Sequence, residues 1–259
     1  MKRLFLYLLL ILIPSSTALP QEGQWEKATS THFIVYYKHA PEDFIRLIID
    51  ESEDYYNRIA EDLGFTRFNF WLWDNRAKIF IHDNLQEFQS ATGQPPWSAG
   101  CAQVDTKTIH SYPYAQGFTE TILPHEMGHI IFREFVGYDN TSIPLWLDEG
   151  VAAYQEKARH ITANKISKEA IRTKKFINLV ELSRINQNML GGGNLVNIFY
   201  AESLSIVDFL VKEYGTDRFV YFCQNLRDKK NLESAIKTSY SFSNIQELNI
   251  TWEKFLKSE

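Results

Sequence analysis

The sequence predicts an α+β fold, a small mixed sheet backed by helices and followed by a largely helical part. Three observations carry that expectation. Alternating, β-branched and aromatic runs end at Tyr112. Helical periodicity takes over after Gln116 and Gly117 and holds nearly to the end. The composition, 44 % hydrophobic and 14 % aromatic over 259 residues, is that of a globular chain.

The first residues are of a different kind. Lys2 and Arg3 precede an apolar run from Leu4 to Ile13, and Pro14, Ser15, Ser16, Thr17 and Ala18 follow. A basic start, a short apolar stretch and small residues read as a secretory signal peptide over 1–18, cut after Ala18. The run is well short of the roughly 20 residues that span a bilayer. An uncleaved N-terminal anchor is the alternative. No later segment reads as a span, and no Cys follows the run to accept a lipid. The mature chain, 19–259, is therefore expected to be secreted or periplasmic and free of the membrane.

The elements follow in order. HFIVYY (32–37) reads as a strand. Residues 41–63 read as a helix, with Phe44, Leu47, Ile48, Tyr55 and Ile59 at helical spacing and Gly64 to end it. KIFIH (78–82) alternates as a strand, and Asn84 can cap a short helix carrying Leu85 and Phe88. GQPPW (93–97) is a loop by its Pro and Gly content. Ala99–Val104 and Thr108–Tyr112 form two strands joined at Asp105–Thr106–Lys107. Helices are expected over 119–136, 144–159, 197–214, 216–227 and 243–257, with Gly191–Gly193 as a break. Residues 19–136 thus form a sheet-containing part and 137–259 a helical part, with the active site in the cleft between.

The formal net charge is −5 and no block of like charge stands out. That argues against a nucleic-acid or polybasic lipid surface. Two cysteines are present, Cys101 and Cys223. In an oxidising compartment they can bridge, closing a long loop for about 4 kcal/mol on the chain-entropy model. The other reading is two separate buried thiols, and both stay open. Neither lies in a CxxC spacing, which argues against a cysteine metal site.

The decisive segment is ETILPHEMGHIIFREF, 120–135. Within it stands His125–Glu126–Met127–Gly128–His129. Residues four apart share one helix face, so both imidazoles can reach one ion, and zinc suits such a donor pair. Glu126 follows the first His by one residue, beside the ion rather than on it, where a general base belongs. Pro124 fits the first turn of a helix capped at Thr121, where backbone N–H groups lack partners. A third ligand is available in IPLWLDEGVAAYQE, 143–156. Nineteen residues separate His129 from Glu149, room for one helix to end and another to return. Two His and one carboxylate would leave the fourth position open to water. Asp148 and Glu149 compete for the role, since neighbours on a helix point about 100° apart.

HEMGH followed by PLWLDEGVAAYQE resembles the gluzincin metallopeptidases, closest to the peptidase MA-like group of bacterial secreted proteins. It is more distantly similar to the gluzincin aminopeptidases and to thermolysin-like enzymes. The resemblance implies a zincin-like fold, one zinc per chain held by His125, His129 and Glu149, and Glu126 as base. It also implies a peptide or protein substrate. Phe199–Ser203 through Glu213–Gly215 continues the likeness and makes Tyr200 the matching oxyanion donor. PPWSAGCAQ is similar to a stretch ahead of the motif helix in the family. A third His six residues beyond His129 would mark a metzincin, but that position is Phe135. Two departures stand out. No G-x-M-E-N loop for a free amine is present, which favours an endopeptidase over an aminopeptidase. Ala153 stands where thermolysin-like enzymes place the Asp that orients a ligand His, leaving His125 without an identified partner.

The strand Thr108–Tyr112 is a candidate edge for pairing with an extended substrate. His110 and Tyr112 share one face of it and are candidate substrate contacts, against ordinary packing. A non-catalytic binding protein that keeps the fold is the competing class, and the intact Glu126 weighs against it.

Overall fold

The computed structural model describes residues 25–65, 71–96, 98–113, 115–190 and 193–258. The expected leader over 1–18, Trp97 of the Pro-rich loop and Gly191 and Gly192 lie outside them. Among the described residues the chain is α+β, with ten α-helices and one mixed five-stranded sheet.

The sheet contains β1 (Glu26–Thr29), β2 (Phe33–Tyr37), β3 (Ala77–Ile81), β4 (Gly100–Gln103) and β5 (Thr108–Ser111). Its order is β1-β2-β3-β5-β4. The central β2, β3 and β5 run parallel, and β1 and β4 pair antiparallel at the two edges. Period-two alternation sends Phe33, Val35, Ile79, Ile81 and Ile109 to one face, where each is fully buried. Helices α1 (Glu42–Asp62) and α3 (Leu123–Val136) lie against the sheet. Gly64, at φ +73°, turns the chain out of α1, because a side chain at that φ would clash with its own backbone. Short α2 (Leu85–Thr92) begins on Asn84, whose side chain accepts from Glu87 N–H as foreseen.

Beyond α3 the chain is helical: α4 (Leu145–Tyr154), α5 (His160–Arg172), α6 (Leu179–Leu182) and α7 (Asn194–Tyr214). Then come α8 (Thr216–Lys229), α9 (Leu232–Tyr240) and α10 (Ile245–Ser258). The main apolar core of the described residues runs from Phe33 through Met127 and Phe209 to Leu256, with a small second cluster of Ala153, Ala163, Ala201 and Leu204. α7 is long and apolar enough to cross a membrane by length and composition, which corrects the expectation that no such segment follows the leader. It is the core helix, with 72 % of its apolar stretch buried inside the protein, packed on α4 and α5.

Two expectations about the first half change, and the open question of the cysteines is answered. β5 is not the sheet edge: β3 and β4 flank it on both sides, so it has no free edge to offer a substrate. His110 stacks on Phe80 and lies 3.1 Å from His82 Nε2, while Tyr112 packs on Phe88. Both are packing residues and neither lines the active-site cavity. Burial, then the charge of His82, pushes the His110 pKa down to about 4. Cys101 and Cys223 are free thiols rather than a bridge. Cys101 sits on edge strand β4, and Cys223 is sealed in the apolar core on α8.

Candidate metal centre

The site is built on α3 and α4, two helices that approach unusually closely. Gly128 on α3 faces α4 so tightly that a Cβ there would come 2.9 Å from Ala152 Cα. Gly150 on α4 is tighter still against α7, where a Cβ would meet the Ser203 carbonyl oxygen at 2.2 Å. Both glycines adjoin ligand positions, and both let backbones approach where any side chain would hold them apart.

α3 is entered through a π-helical turn, Phe118–Ile122, not from a cap at Thr121. The wide turn carries N–H bonds from Thr121 and Ile122 back to Gly117 O, and Pro124 falls in the first turn of α3. A proline donates no N–H, and in the first turn that N–H would lack an intrahelical partner anyway, so Pro124 is tolerated there.

Four residues apart, His125 and His129 project from one face with their Nε2 atoms 3.2 Å apart. Glu149 Oε2 lies 3.6 Å from the first and 3.7 Å from the second. One donor atom from each residue falls within 4.8 Å of the others, so the three could hold one metal ion. A tetrahedral ion with ligands at 2.0–2.1 Å separates them by about 3.3 Å. The observed separations match within a few tenths of an ångström. The donor set thus fits a single divalent ion.

Each imidazole is oriented from behind. His125 Nδ1 lies 2.8 Å from Glu156 Oε1, and His129 Nδ1 lies 3.0 Å from Asp148 Oδ1. A carboxylate can only accept, so both rings donate through Nδ1 and turn Nε2 toward the ion. Asp148 is in turn gripped by Arg133, with Nε at 2.8 Å and Nη2 at 2.6 Å. The residue that competed with Glu149 in the sequence is therefore the partner of His129. Glu156, three-hundredths exposed, is the missing partner of His125.

Burial opposes charge on His125, yet the nearby Glu149 carboxylate and the hydrogen bond to Glu156 outweigh it and raise its pKa to about 10. His129 is raised in the same sense: burial opposes, and the Asp148 hydrogen bond wins. For Asp148, burial alone would raise the pKa, but His129 and Arg133 hold it below the usual carboxylate range. Without a metal, the cluster of carboxylates holds protons on the rings; a cation would replace them.

A cavity of about 880 Å³ opens over this cluster. His125 and Glu126 form its floor, and Ser98, Ala99 and Gly100 at the start of edge strand β4 form one side. α5 and α7 form the other, with Tyr200 half-buried on that wall. Burial, then the charge of Glu149, pushes the Tyr200 pKa up to about 12. The geometry brings together His125, Glu126, His129, Glu149 and Tyr200; it leaves His110, Tyr112 and Cys223 elsewhere.

Glu156 and Arg159 were missed in the sequence. Glu156 stands seven residues after Glu149, a spacing that the helix expected over 144–159 would put on one face, although α4 ends at Tyr154. Arg159 carried no such signal, because the helix expected over 144–159 takes in the turn Lys157–Arg159.

A family model described as the Peptidase MA superfamily matches residues 72–258, well over half of the chain. The matched span takes in β3, the metal ligands and every helix after α1. No curated protein matches the chain.

Proposed function

The chain belongs to the Peptidase MA superfamily, and on that premise we propose that it is an exported zinc endopeptidase with Glu126 as general base. Superfamily membership makes it a metallopeptidase whose substrate is a peptide or protein. The observation that carries the finer reading is Glu126 at the cavity floor, beside three donor atoms within 4.8 Å of one another. Two neutral imidazoles and a carboxylate form the donor set that zinc takes in hydrolytic enzymes. Bound there, zinc would acidify a water and polarise the scissile carbonyl.

The residues of the chain do the rest. Glu126 takes the proton of the attacking water on its carboxylate and passes it to the leaving nitrogen. The Tyr200 hydroxyl, kept protonated by its raised pKa, donates to the oxygen on which charge develops. Edge strand β4, rather than β5, offers unpaired backbone on one side to an extended chain. An edge strand binds the middle of a chain as readily as its end, which supports endopeptidase action.

Glu126→Gln tests the assignment. It keeps the three ligands and their carboxylate partners, so metal binding should persist while peptide cleavage falls about 10²–10⁴-fold. A variant that retains metal and cleaves at the parent rate removes Glu126 from the mechanism.

A further inference from the structure

Resting on that reading, we propose that Arg159 forms a substrate-carboxylate site beside the reaction centre, giving the enzyme a preference for peptides that place a carboxylate there. Arg159 stands on the short turn Lys157–Arg159 between α4 and α5, and its backbone N–H bonds Glu156 O at 2.8 Å. That bond holds the backbone from which the guanidinium projects. Its Nε lies 2.8 Å from Glu156 Oε2, the carboxylate whose other oxygen holds His125. One carboxylate thus separates the cation from a metal-ligand imidazole. Its charge reaches the Tyr200 hydroxyl and favours that group's ionised form.

A cation serving only Glu156 would be expected to grip it with two nitrogens and be covered. Arg133 does this to Asp148, through Nε and Nη2, with 18 % of its side chain exposed. Arg159 instead meets Glu156 through Nε and keeps 52 % of its side chain exposed, on the cavity wall. Its two terminal amino groups have no hydrogen-bond partner among the described residues. Those groups form the planar fork that matches a carboxylate.

The surroundings fit the same ligand. Among the described residues lining the cavity, Arg159 is the one Lys or Arg, and the other charged side chains besides His125 are Glu126 and Glu156. The wall next to it is apolar and of small relief: Ala163, Ile166, Ala201 and Leu204. Such a wall takes the methylenes of a glutamate side chain and leaves its carboxylate at the guanidinium. A chain-terminal carboxylate offers the same group without the methylenes.

Binding to the Glu126→Gln protein, loaded with zinc, separates recognition from turnover. Fluorescent peptides carry Glu, Gln or Lys in turn at each of several positions, each with a free or an amidated C-terminus. We expect about tenfold tighter binding for one carboxylate-bearing member over its neutral counterpart. Adding Arg159→Gln should abolish that ratio, and Arg159→Glu should turn it toward a Lys-bearing peptide. A ratio set by the Glu/Gln exchange identifies a side-chain site; one set by the terminus identifies a chain-end site. The proposal fails if no peptide binds, if no carboxylate preference exists, or if the preference survives Arg159→Gln. It also fails if Arg159→Gln weakens charged and neutral peptides equally, since the cation would then act through Glu156 alone. If the parent binds acidic peptides selectively but cuts none of them, the hydrolytic reading falls and the carboxylate site stands.

Discussion

Gly150→Ala adds one carbon in the most closely packed place of the active-site helices. That carbon would lie 2.2 Å from Ser203 O, 2.8 Å from Ser203 C and 2.9 Å from Val207 Cγ2. Two of the three are backbone atoms in the middle of α7 and have no side-chain torsion through which to retreat. Since real Cβ contacts essentially never fall under 3.0 Å, α4 and α7 must separate by at least about 0.8 Å. Overpacking of this kind costs about 1–3 kcal/mol. In a domain of this size that lowers the melting temperature by about 2–12 °C. The same displacement acts on function, because Glu149 is the preceding residue and Tyr200 lies one turn before Ser203. Metal sites tolerate about ±0.2 Å in ligand distance. An ångström-scale shift of Glu149 from its 3.6 and 3.7 Å separations should therefore lower metal affinity at least tenfold. Competition with a chromogenic chelator measures affinity, and thermal unfolding of the metal-free protein measures stability. If Gly150→Ala binds metal like the parent and melts within a degree of it, close backbone approach is not what builds the site.

Glu149→Ala removes a ligand and should weaken metal retention more than Asp148→Ala, which removes the support of His129. For Asp148→Asn, a loss of about 10–100-fold in affinity is expected; equal losses for Glu149→Ala and Asp148→Asn would contradict the ligand assignment. Glu156→Gln keeps one acceptor for His125 but loses the charge, so affinity should fall while the fold is retained, read by dialysis and circular dichroism. The raised pKa of His125 contributes stability to the metal-free protein that is fully present below the unfolded value near 6.5. That contribution should be lost as pH rises toward about 10, seen as a falling melting temperature without metal. Glu202, fully buried on α7, has its carboxyl pushed up to about 9 by burial, with Ile177 N–H at 3.2 Å as its donor. A raised acid favours the folded state below pH about 4.5 and loses that advantage as pH climbs to about 9. Glu202→Gln should therefore raise the melting temperature more at pH 8 than at pH 5; an equal gain at both would show that the carboxyl is already ionised in the fold.

What was legible in the chain was whatever a local period or spacing encodes. The alternation of Phe33 and Val35 and of Ile79 and Ile81 gave the sheet, and the four-residue step from His125 to His129 gave the imidazole pair. β1 was not legible, because Glu26–Thr29 is a polar edge that takes its order from pairing with β2. α5, α6 and α9 were hidden for a related reason: their burial is set by what packs on them, and α5 buries little more than Ala163, Ser167 and Ala170. The edge position of β4 was illegible because strand order is a property of crossovers, not of the strand itself.

The same distinction explains the roles at the metal centre. A ligand must aim an atom at one point, so its spacing along a helix is constrained and readable. A residue that orients a ligand need only reach the far side of the ring, and many positions satisfy that. Ala153, where a thermolysin-like pattern puts an Asp, suggested that His125 lacked a partner. The fold meets the need from Glu156, just past the end of α4, with His125 Nδ1 at 2.8 Å. That substitution has a consequence for the substrate side. A partner displaced beyond the helix lies on the turn leading into α5, and the turn brings Arg159 to the cavity with it. Orientation of the metal ligand and recognition of the substrate are thereby coupled through one carboxylate. Changes at Glu156 should accordingly alter selectivity as well as metal affinity, whereas changes at Asp148, whose cation Arg133 does not line the cavity, should alter metal affinity alone.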